Sequence, residues 1–483
     1  MGPEVAMSEE LFDDLADLAD KSASTVYVVG GYLRDRLLGR EPIDLDLLVE
    51  GSPEPFLAAL SRRASFEPVV FSRREPVTYR VALGEWLIDV SACPPGGLKE
   101  AVSRRDFTIN ALAAPLRSQS PRPGGGRPSS MIEPVLDLMG GLDDLHAHRI
   151  RHITAEGLVE DPLRLLRAVR LAVILDGFTL DPALRAEIGR QAAAITTVAA
   201  ERVLSEMEVI LACSRAGSGL RLMMEAGLLY PILPELAPLE GLRQNRWHRY
   251  DALEHTIRTV EEADRLQTGA VPSLAGRPGL EAAEILKWAA LLHDVGKAAT
   301  ASVGDDGEMH FYGHETVSAE QAATALARMR MGSRKAGRIH ALIANHLRLT
   351  LLSVSGPASD RSIRRLVHQM KSDTPLLCLL ALADRRAGGG QDLEAQVSRI
   401  EALTGRIMSA FQAEGDRIIS PPPLLTGREI MQALGLQPGP PVGALLRWLT
   451  RLQVEDKIHT RDEALDRIRS LPPSRILTLE DEG

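Results

Sequence analysis

The sequence predicts an α+β multidomain chain in which a small mixed α/β head is followed by helices almost to the end. Three observations carry this. The 483 residues exceed what one ordinary core holds, and two to four domains are expected at that length. Up to about residue 150, β-rich runs alternate with helix-like segments. After Glu160 the apolar spacing becomes helical, interrupted only by Pro/Gly breaks.

The elements follow in order. Residues 8–20 read as a short acidic helix. Thr25–Val29 (TVYVV) is a β-rich run ending at Gly30-Gly31, and a helix over Tyr32–Leu38 follows. Then come a strand at Leu45–Val49, a helix around Glu54–Ala64, and strands near Val69–Phe71, Thr78–Leu83 and Trp86–Val90. Ser118–Ser130 (SQSPRPGGGRPSS) lacks the apolar residues to bury a core and reads as a disordered surface loop. In the helical part, breaks fall at Leu233-Pro234, Gly388–Gly390 and Pro421–Pro423. No fixed-period repeat is present.

Bulk properties exclude several classes. No apolar run is long enough to span a bilayer. The N-terminus, MGPEVAMSEELFDDLADLAD, lacks the basic-then-apolar order of a secretory signal. Cys93, Cys213 and Cys378 are odd in number and far apart, so they read as reduced, mostly buried thiols of a cytoplasmic protein. The net charge of −9 argues weakly against nucleic acid, but it says nothing of where the charges lie. Only seven of the 56 basic residues are lysines, a bias that suits phosphate recognition but that a GC-rich genome explains better.

The first constellation is Val28–Val49, VVGGYLRDRLLGREPIDLDLLV. A strand ends in two glycines, which let a phosphate approach the backbone. The helix behind them carries Arg34 and Asp35 and can offer amides to a triphosphate. On the next strand, the period of two places Asp44 and Asp46 on one face. Two carboxylates so placed repel unless a cation joins them. A pair of Mg²⁺ ions would do so and suits phosphoryl displacement. Asp89, in the strand LIDV, is the candidate third carboxylate.

GGYLRDRLLGREPIDLD resembles the signature of the class II tRNA nucleotidyltransferase and bacterial poly(A) polymerase family. SRRDFTINA (Ser103–Ala111), EDPLRLLRAVR (Glu160–Arg170) and ERVLSE (Glu201–Glu206) resemble that family's later motifs, in order. The resemblance implies a polymerase-β-like nucleotidyltransferase head at 22–150, an all-helical neck and body at 151–245, a helical HD domain at 246–390 and a small helical tail at 391–483. It implies template-independent addition of CC or CCA to a tRNA 3′ end from CTP and ATP, with pyrophosphate released. Asp44, Asp46 and Asp89 would be catalytic, the first two holding Mg²⁺; Gly30, Gly31, Arg34 and Asp35 would line the nucleotide. Arg105 would contact phosphate, and Asp106 and Asn110 the ribose. Asp161 and Arg164, at i and i+3 on a helix opened by Pro162, would project side by side. Together they would imitate a complementary base edge, with Arg167 and Arg170 meeting phosphates on the same face.

The second constellation is His248-x-x-Asp251, His255, then LLHDVGK with His293-Asp294, and Asp384 in LALADRR. His255, His293, Asp294 and Asp384 fit the ligand order of the HD phosphohydrolase superfamily and would hold a divalent metal of unspecified identity. A metal-bound water could attack a phosphoester, with Lys297 beside the phosphate. His314, His340 and His346 are further candidates for a second ion.

Between Asp89 and Arg104 the chain is short and centred on Pro94-Pro95-Gly96-Gly97. Members that add the whole CCA have a longer flexible loop here, so the short segment predicts CC addition. The end, LPPSRILTLEDEG, is acidic, unlike the basic end of the poly(A) polymerase branch, and this favours tRNA. The alternatives are a poly(A) polymerase, marked by ATP preference, and an HD phosphohydrolase whose head merely binds nucleotide.

Overall fold

In a computed structural model, the protein is described over residues 3–42, 44–64, 67–72, 76–84, 86–116, 134–245, 247–268, 279–305, 307–354 and 356–472. The glycine-rich Ser118–Ser130 segment and the final acidic residues lie outside them. The chain divides into two compact units, Met1–Ala199 with Glu225–Pro231, and Ala200–Met224 with Ile232–Gly483.

The first unit is built on α1 (Pro3–Lys21), β1 (Val26–Val29), α2 (Gly31–Leu37), β2 (Asp44–Glu50), α3 (Glu54–Ala64), β3 (Val69–Ser72), β4 (Thr78–Leu83), β5 (Trp86–Cys93), α4 (Leu98–Ser103), β6 (Leu112–Pro115) and β7 (Leu136–Asp137). The seven strands form one sheet in the order β3-β4-β5-β2-β1-β6-β7. β2 and β5 are parallel and every other neighbouring pair is antiparallel. Leu45, Leu47 and Val49 of β2 and Ile88 and Val90 of β5 are fully buried, so one sheet face is core and the alternate residues are left for the other face. α1 buries Phe12, Leu15 and Ala16. It is tied to α3 by the Arg63–Asp14 pair at 2.6 Å, so it is part of this unit's core.

Beyond the sheet lie α5 (Gly141–His146), α6 (Ala155–Glu160) and α7 (Leu163–Ile174). Thr154 caps α6, its hydroxyl accepting from the Gly157 amide at 3.1 Å. α7 is amphipathic, with Leu165, Leu166, Val169 and Leu171 fully buried.

The described part of the second unit is helical apart from a hairpin at Ser302–Val303 and Met309–His310. The helices Ala252–Thr268, Leu280–Leu292, Ser333–Ala344 and Thr374–Gly388 pack around Ile257, Trp288, Ile339 and Leu380. The breaks read from sequence fall where helices end: Gly389 takes φ 63° after Gly388, and Pro421–Pro423 lies between Leu393–Ile419 and Gly427–Leu434. In the tail, capping boxes at Thr426/Glu429 and Thr460/Glu463 start two of three short helices over a core of Ile430, Leu445 and Ile468. Among the described residues, no helix is long and apolar enough to cross a membrane.

Candidate functional site: a carboxylate row in the head and a histidine–aspartate centre

Register builds the head site. Asp46 on β2 lies opposite Asp89 on β5, and Asp89 opposite Arg80 on β4. Residues paired across strands share a face, so Arg80, Asp89 and Asp46 form one row. Asp44 stands two residues from Asp46 on the same face, as the sequence period requires. Arg80 grips Asp89 bidentately, Nε to Oδ1 and an Nη to Oδ2, both at 2.7 Å. Arg105 donates to Asp46 Oδ2 at 3.0 Å. Burial raises the Asp44 pKa, and the charges of Asp46 and Asp89 raise it further, against Arg80. Such mutual repulsion is relieved by a cation, so the three carboxylates fit a divalent metal.

The glycine at the end of β1 is obligatory. Gly30 has φ 85°, and a Cβ there would run into the Arg105 guanidinium and Asp46 Oδ2. Gly31 opens α2, and Arg34 and Asp35 one turn on are bonded to each other at 2.9 and 2.8 Å. Arg34 also donates to Asn110 Oδ1 at 2.7 Å.

Asp106 and Asn110, expected at the ribose, are joined to other groups of the protein. Asp106 is buried, and its Oδ1 accepts from the Phe107 amide at 2.8 Å and from Asn110 at 3.0 Å. Its Oδ2 pairs with Arg167 at 3.0 Å. Burial alone would raise the Asp106 pKa, but Arg167 and these hydrogen bonds outweigh it and lower it. Asp106 and Asn110 therefore join Arg34 to Arg167 in an internal network. Asp161 and Arg164 do not share a helix: Asp161 has non-helical φ −135°, ψ 88° at the end of α6, and α7 starts after Pro162. The Arg164 guanidinium instead donates to the carbonyls of Arg104 at 2.7 Å and Arg105 at 3.4 Å. Arg170 follows on α7. Sequence reasoning missed Arg80, whose signal was the two-residue Gly84-Glu85 break that joins its strand to that of Asp89 as a hairpin.

The second unit gathers a denser centre. Asp294 faces two histidine pairs. Its Oδ2 lies 3.1 Å from His293 Nε2 and 3.5 Å from His255 Nε2; its Oδ1 lies 3.3 Å from His314 Nε2 and 3.9 Å from His346 Nε2. Asp384 Oδ1 closes the first group at 3.0 Å from His255 and 3.7 Å from His293. His248 sits beside His255 and Asp384. His340 is exposed and joins none of these groups. Asp251 caps the helix of His255, accepting from the Glu254 amide at 2.8 Å.

The hydrogen bonds behind the rings tell what the centre is for. His293, His314 and His346 each set Nδ1 against the carbonyl three residues earlier, at 2.8, 2.7 and 2.7 Å. Donation from Nδ1 leaves Nε2 as a lone pair aimed inward, the tautomer a metal needs. Two such nitrogens, of His314 and His346, face each other at 3.3 Å, both turned toward Oδ1 of buried Asp294. Burial works against charging His293, but Asp294 and Asp384 overcome it and push its pKa up to about 10. Burial, with His293 and His314, pushes His346 down to about 3. A centre that binds a proton so firmly on one side and keeps neutral imidazole on the other fits divalent cations. Lys297 is buried and held by Asp294 Oδ2 and Gln244 Oε1, both at 2.6 Å, so it is part of the wall.

Comparison with known proteins agrees with this geometry. Residues 26–93 match the poly A polymerase head domain, 177–240 the probable RNA and SrmB-binding site of polymerase A, and 252–389 the HD domain. An A-adding tRNA nucleotidyltransferase of Deinococcus radiodurans is 34% identical over 90% of this chain and 93% of its own length. A CC-adding tRNA nucleotidyltransferase of Thermus thermophilus is also 34% identical, over 91% and 92%. In fold, the chain resembles the Bacillus stearothermophilus CCA-adding enzyme solved with CTP, with a TM-score of 0.62, 20% identity and 100% of both chains covered. It also resembles the Thermotoga maritima CCA-adding enzyme complexed with tRNA, with a TM-score of 0.60 and 19% identity over 97% and 96%. The chain thus belongs to the tRNA nucleotidyltransferase and poly(A) polymerase family, as an enzyme with a nucleotidyltransferase head and an HD domain.

Proposed function

We propose that the protein adds cytidines to the 3′ end of tRNA without a template, consuming CTP and releasing pyrophosphate, in the cytoplasm. The observation that carries the reaction is the row Asp89–Asp46 with Asp44 beside it, bordered by Gly30 and Arg105. Gly30 leaves space for the triphosphate and Arg105 pairs with it. Asp106 and Asn110 act from behind, fixing Arg167 and Arg34 around the nucleotide. Asp161 and Arg164 read the base, and Arg170 adds positive charge on the same helix. Mg²⁺ held by Asp44, Asp46 and Asp89 would supply hydroxyl activation and neutralise charge on the phosphates.

Similarity does not choose the product, because relatives at equal identity carry A-adding and CC-adding names. The turn after β5 favours one reading. Only Pro94–Gly97 separates β5 from α4, and its short, proline-stiffened backbone offers little lever for re-forming a C-selective pocket for A. This supports CC addition. The test supplies tRNA lacking its CCA with each labelled NTP, then tRNA ending in CC with ATP alone. Two cytidines and no A are expected. Conversion of tRNA-CC to tRNA-CCA at the rate of C addition overturns the CC reading, and ATP tailing of any RNA identifies a poly(A) polymerase. The buried centre around Asp294 supports a second reading for the other unit, a phosphoesterase acting on phosphorylated or cyclic-phosphate RNA ends.

A further inference from the structure

Beside the catalytic row, the edge of the sheet carries an exposed aromatic ring. β3 is the edge strand, and Val69 pairs with Arg80, which extends the row Asp46–Asp89–Arg80 outward by one strand. The ladder is irregular between Val70 and Ser72, so Phe71 is the bulged residue. Bulges re-aim side chains, and they recur beside active sites. Here the Phe71 ring lies against Arg80, whose guanidinium carbon is 3.5 Å from the ring centroid. The same guanidinium grips Asp89 at 2.7 Å through two hydrogen bonds. Phe71 nevertheless stays 58% exposed and Val69 66%. An exposed phenylalanine fixed by a cation against a catalytic-site carboxylate calls for an occupant.

Position and chemistry name it. In phosphoryl transfer the attacking and leaving oxygens stand roughly in line. Gly30 and Arg105 put the triphosphate on the β1 side of Asp46, so the attacking 3′-hydroxyl must arrive from the opposite side, over β5, β4 and β3. A nucleotide arriving that way brings its base to the ring beyond Asp89. We propose that Phe71, braced by Arg80, is the stacking platform for the 3′-terminal base of the RNA being extended. Stacking tolerates any base, because every base has a π-face. That is what successive additions require, since the terminal base changes after each cycle while the ring stays fixed. The inference rests on the transferase reading of the head.

The test compares Phe71→Ala, Phe71→Leu and Phe71→Trp by steady-state kinetics on tRNA lacking its CCA. Loss of one stacked base should raise the KM for tRNA about tenfold in Phe71→Ala. The KM for CTP should stay unchanged, Phe71→Trp should be near wild type, and Phe71→Leu should resemble Phe71→Ala. In parallel, tRNA ending in 5-iodocytidine should photocrosslink at residue 71, whereas photoreactive CTP should not. An unchanged KM for tRNA in Phe71→Ala, a rise confined to CTP, or a crosslink from CTP overturns the platform while the transferase reading stands. Failure of the wild-type protein to extend any RNA removes that reading and the platform with it.

Discussion

Loading of the second unit's centre with metal should release a proton, and the proton should come from His293. Asp294 and Asp384 push the His293 pKa to about 10, so at pH 7 the metal-free ring is charged. An ion that takes its Nε2 must displace that proton across about three pH units, a cost of about 4 kcal/mol. Affinity for the first ion should therefore rise about tenfold per pH unit from pH 7 toward 10. His346, pushed down to about 3, is already neutral, so it should release no proton when an ion takes its Nε2. Calorimetric titration with Mn²⁺ in two buffers of different ionisation enthalpy measures the released proton, and elemental analysis counts the ions. We expect two ions per chain, one in His346→Gln and none in Asp294→Ala, because Asp294 is shared. Absence of proton release at pH 7, or two ions retained by His346→Gln, refutes the reasoning.

Three further outcomes follow from the same geometry. Asp44→Asn should abolish nucleotide transfer yet leave the metal-free Tm unchanged or higher, because burial and its neighbours already disfavour the Asp44 charge; a clear fall in Tm counts against the repulsive cluster. Without metal, the raised pKa of His293 contributes stability in full below pH 6.5, and this is lost as pH rises toward about 10. Melting curves in chelator should show that decline, and saturating Mn²⁺ should abolish it. Arg164→Ala frees the carbonyls of Arg104 and Arg105 and should cost about 1–3 kcal/mol of base discrimination, read as UTP misincorporation with little change in triphosphate affinity.

What could be read from the sequence divides by range. The strand period put Asp44 and Asp46 on one face because alternation is local. The glycine pair was legible because Gly30 answers a backbone need, φ 85°. Arg80 was legible but missed: only Gly84-Glu85 separates TYRVAL from WLIDV, a hairpin signal, and counting back from that turn sets Arg80 opposite Asp89. Asp161 and Arg164 show the opposite failure. The i, i+3 spacing assumed one helix, but the Thr154-capped turn of α6 ends at Asp161 and the chain changes direction before Pro162. The Asp106 network was hidden because Arg167 reaches it from 61 residues away in sequence. In the other unit the His-Asp dipeptide stood out, but the division of labour among five histidines needed the Nδ1 bonds to backbone carbonyls.

The two centres balance negative charge by different means, and this decides how each should hold its metal. In the head, Asp46 is 37% exposed and is paired with Arg105, and Asp89 is held by Arg80. Arginines on long stems can release a carboxylate to an incoming cation without leaving a charge buried. Water can replace the cation when it departs, so the loss is mild. Such a site suits an ion that arrives with the nucleotide and leaves with pyrophosphate. In the other unit, Asp294 is 1% exposed and His255 and His293 are fully buried. Removing an ion there strands carboxylate charge where water cannot reach it, to be offset by a proton on His293 and the Lys297 ammonium. That ion should stay through purification. A single desalting step into metal-free buffer should therefore leave the buried centre loaded while nucleotide transfer falls to background until Mg²⁺ is restored. Loss of both sets of ions in that one step would show that burial is not what retains the metal.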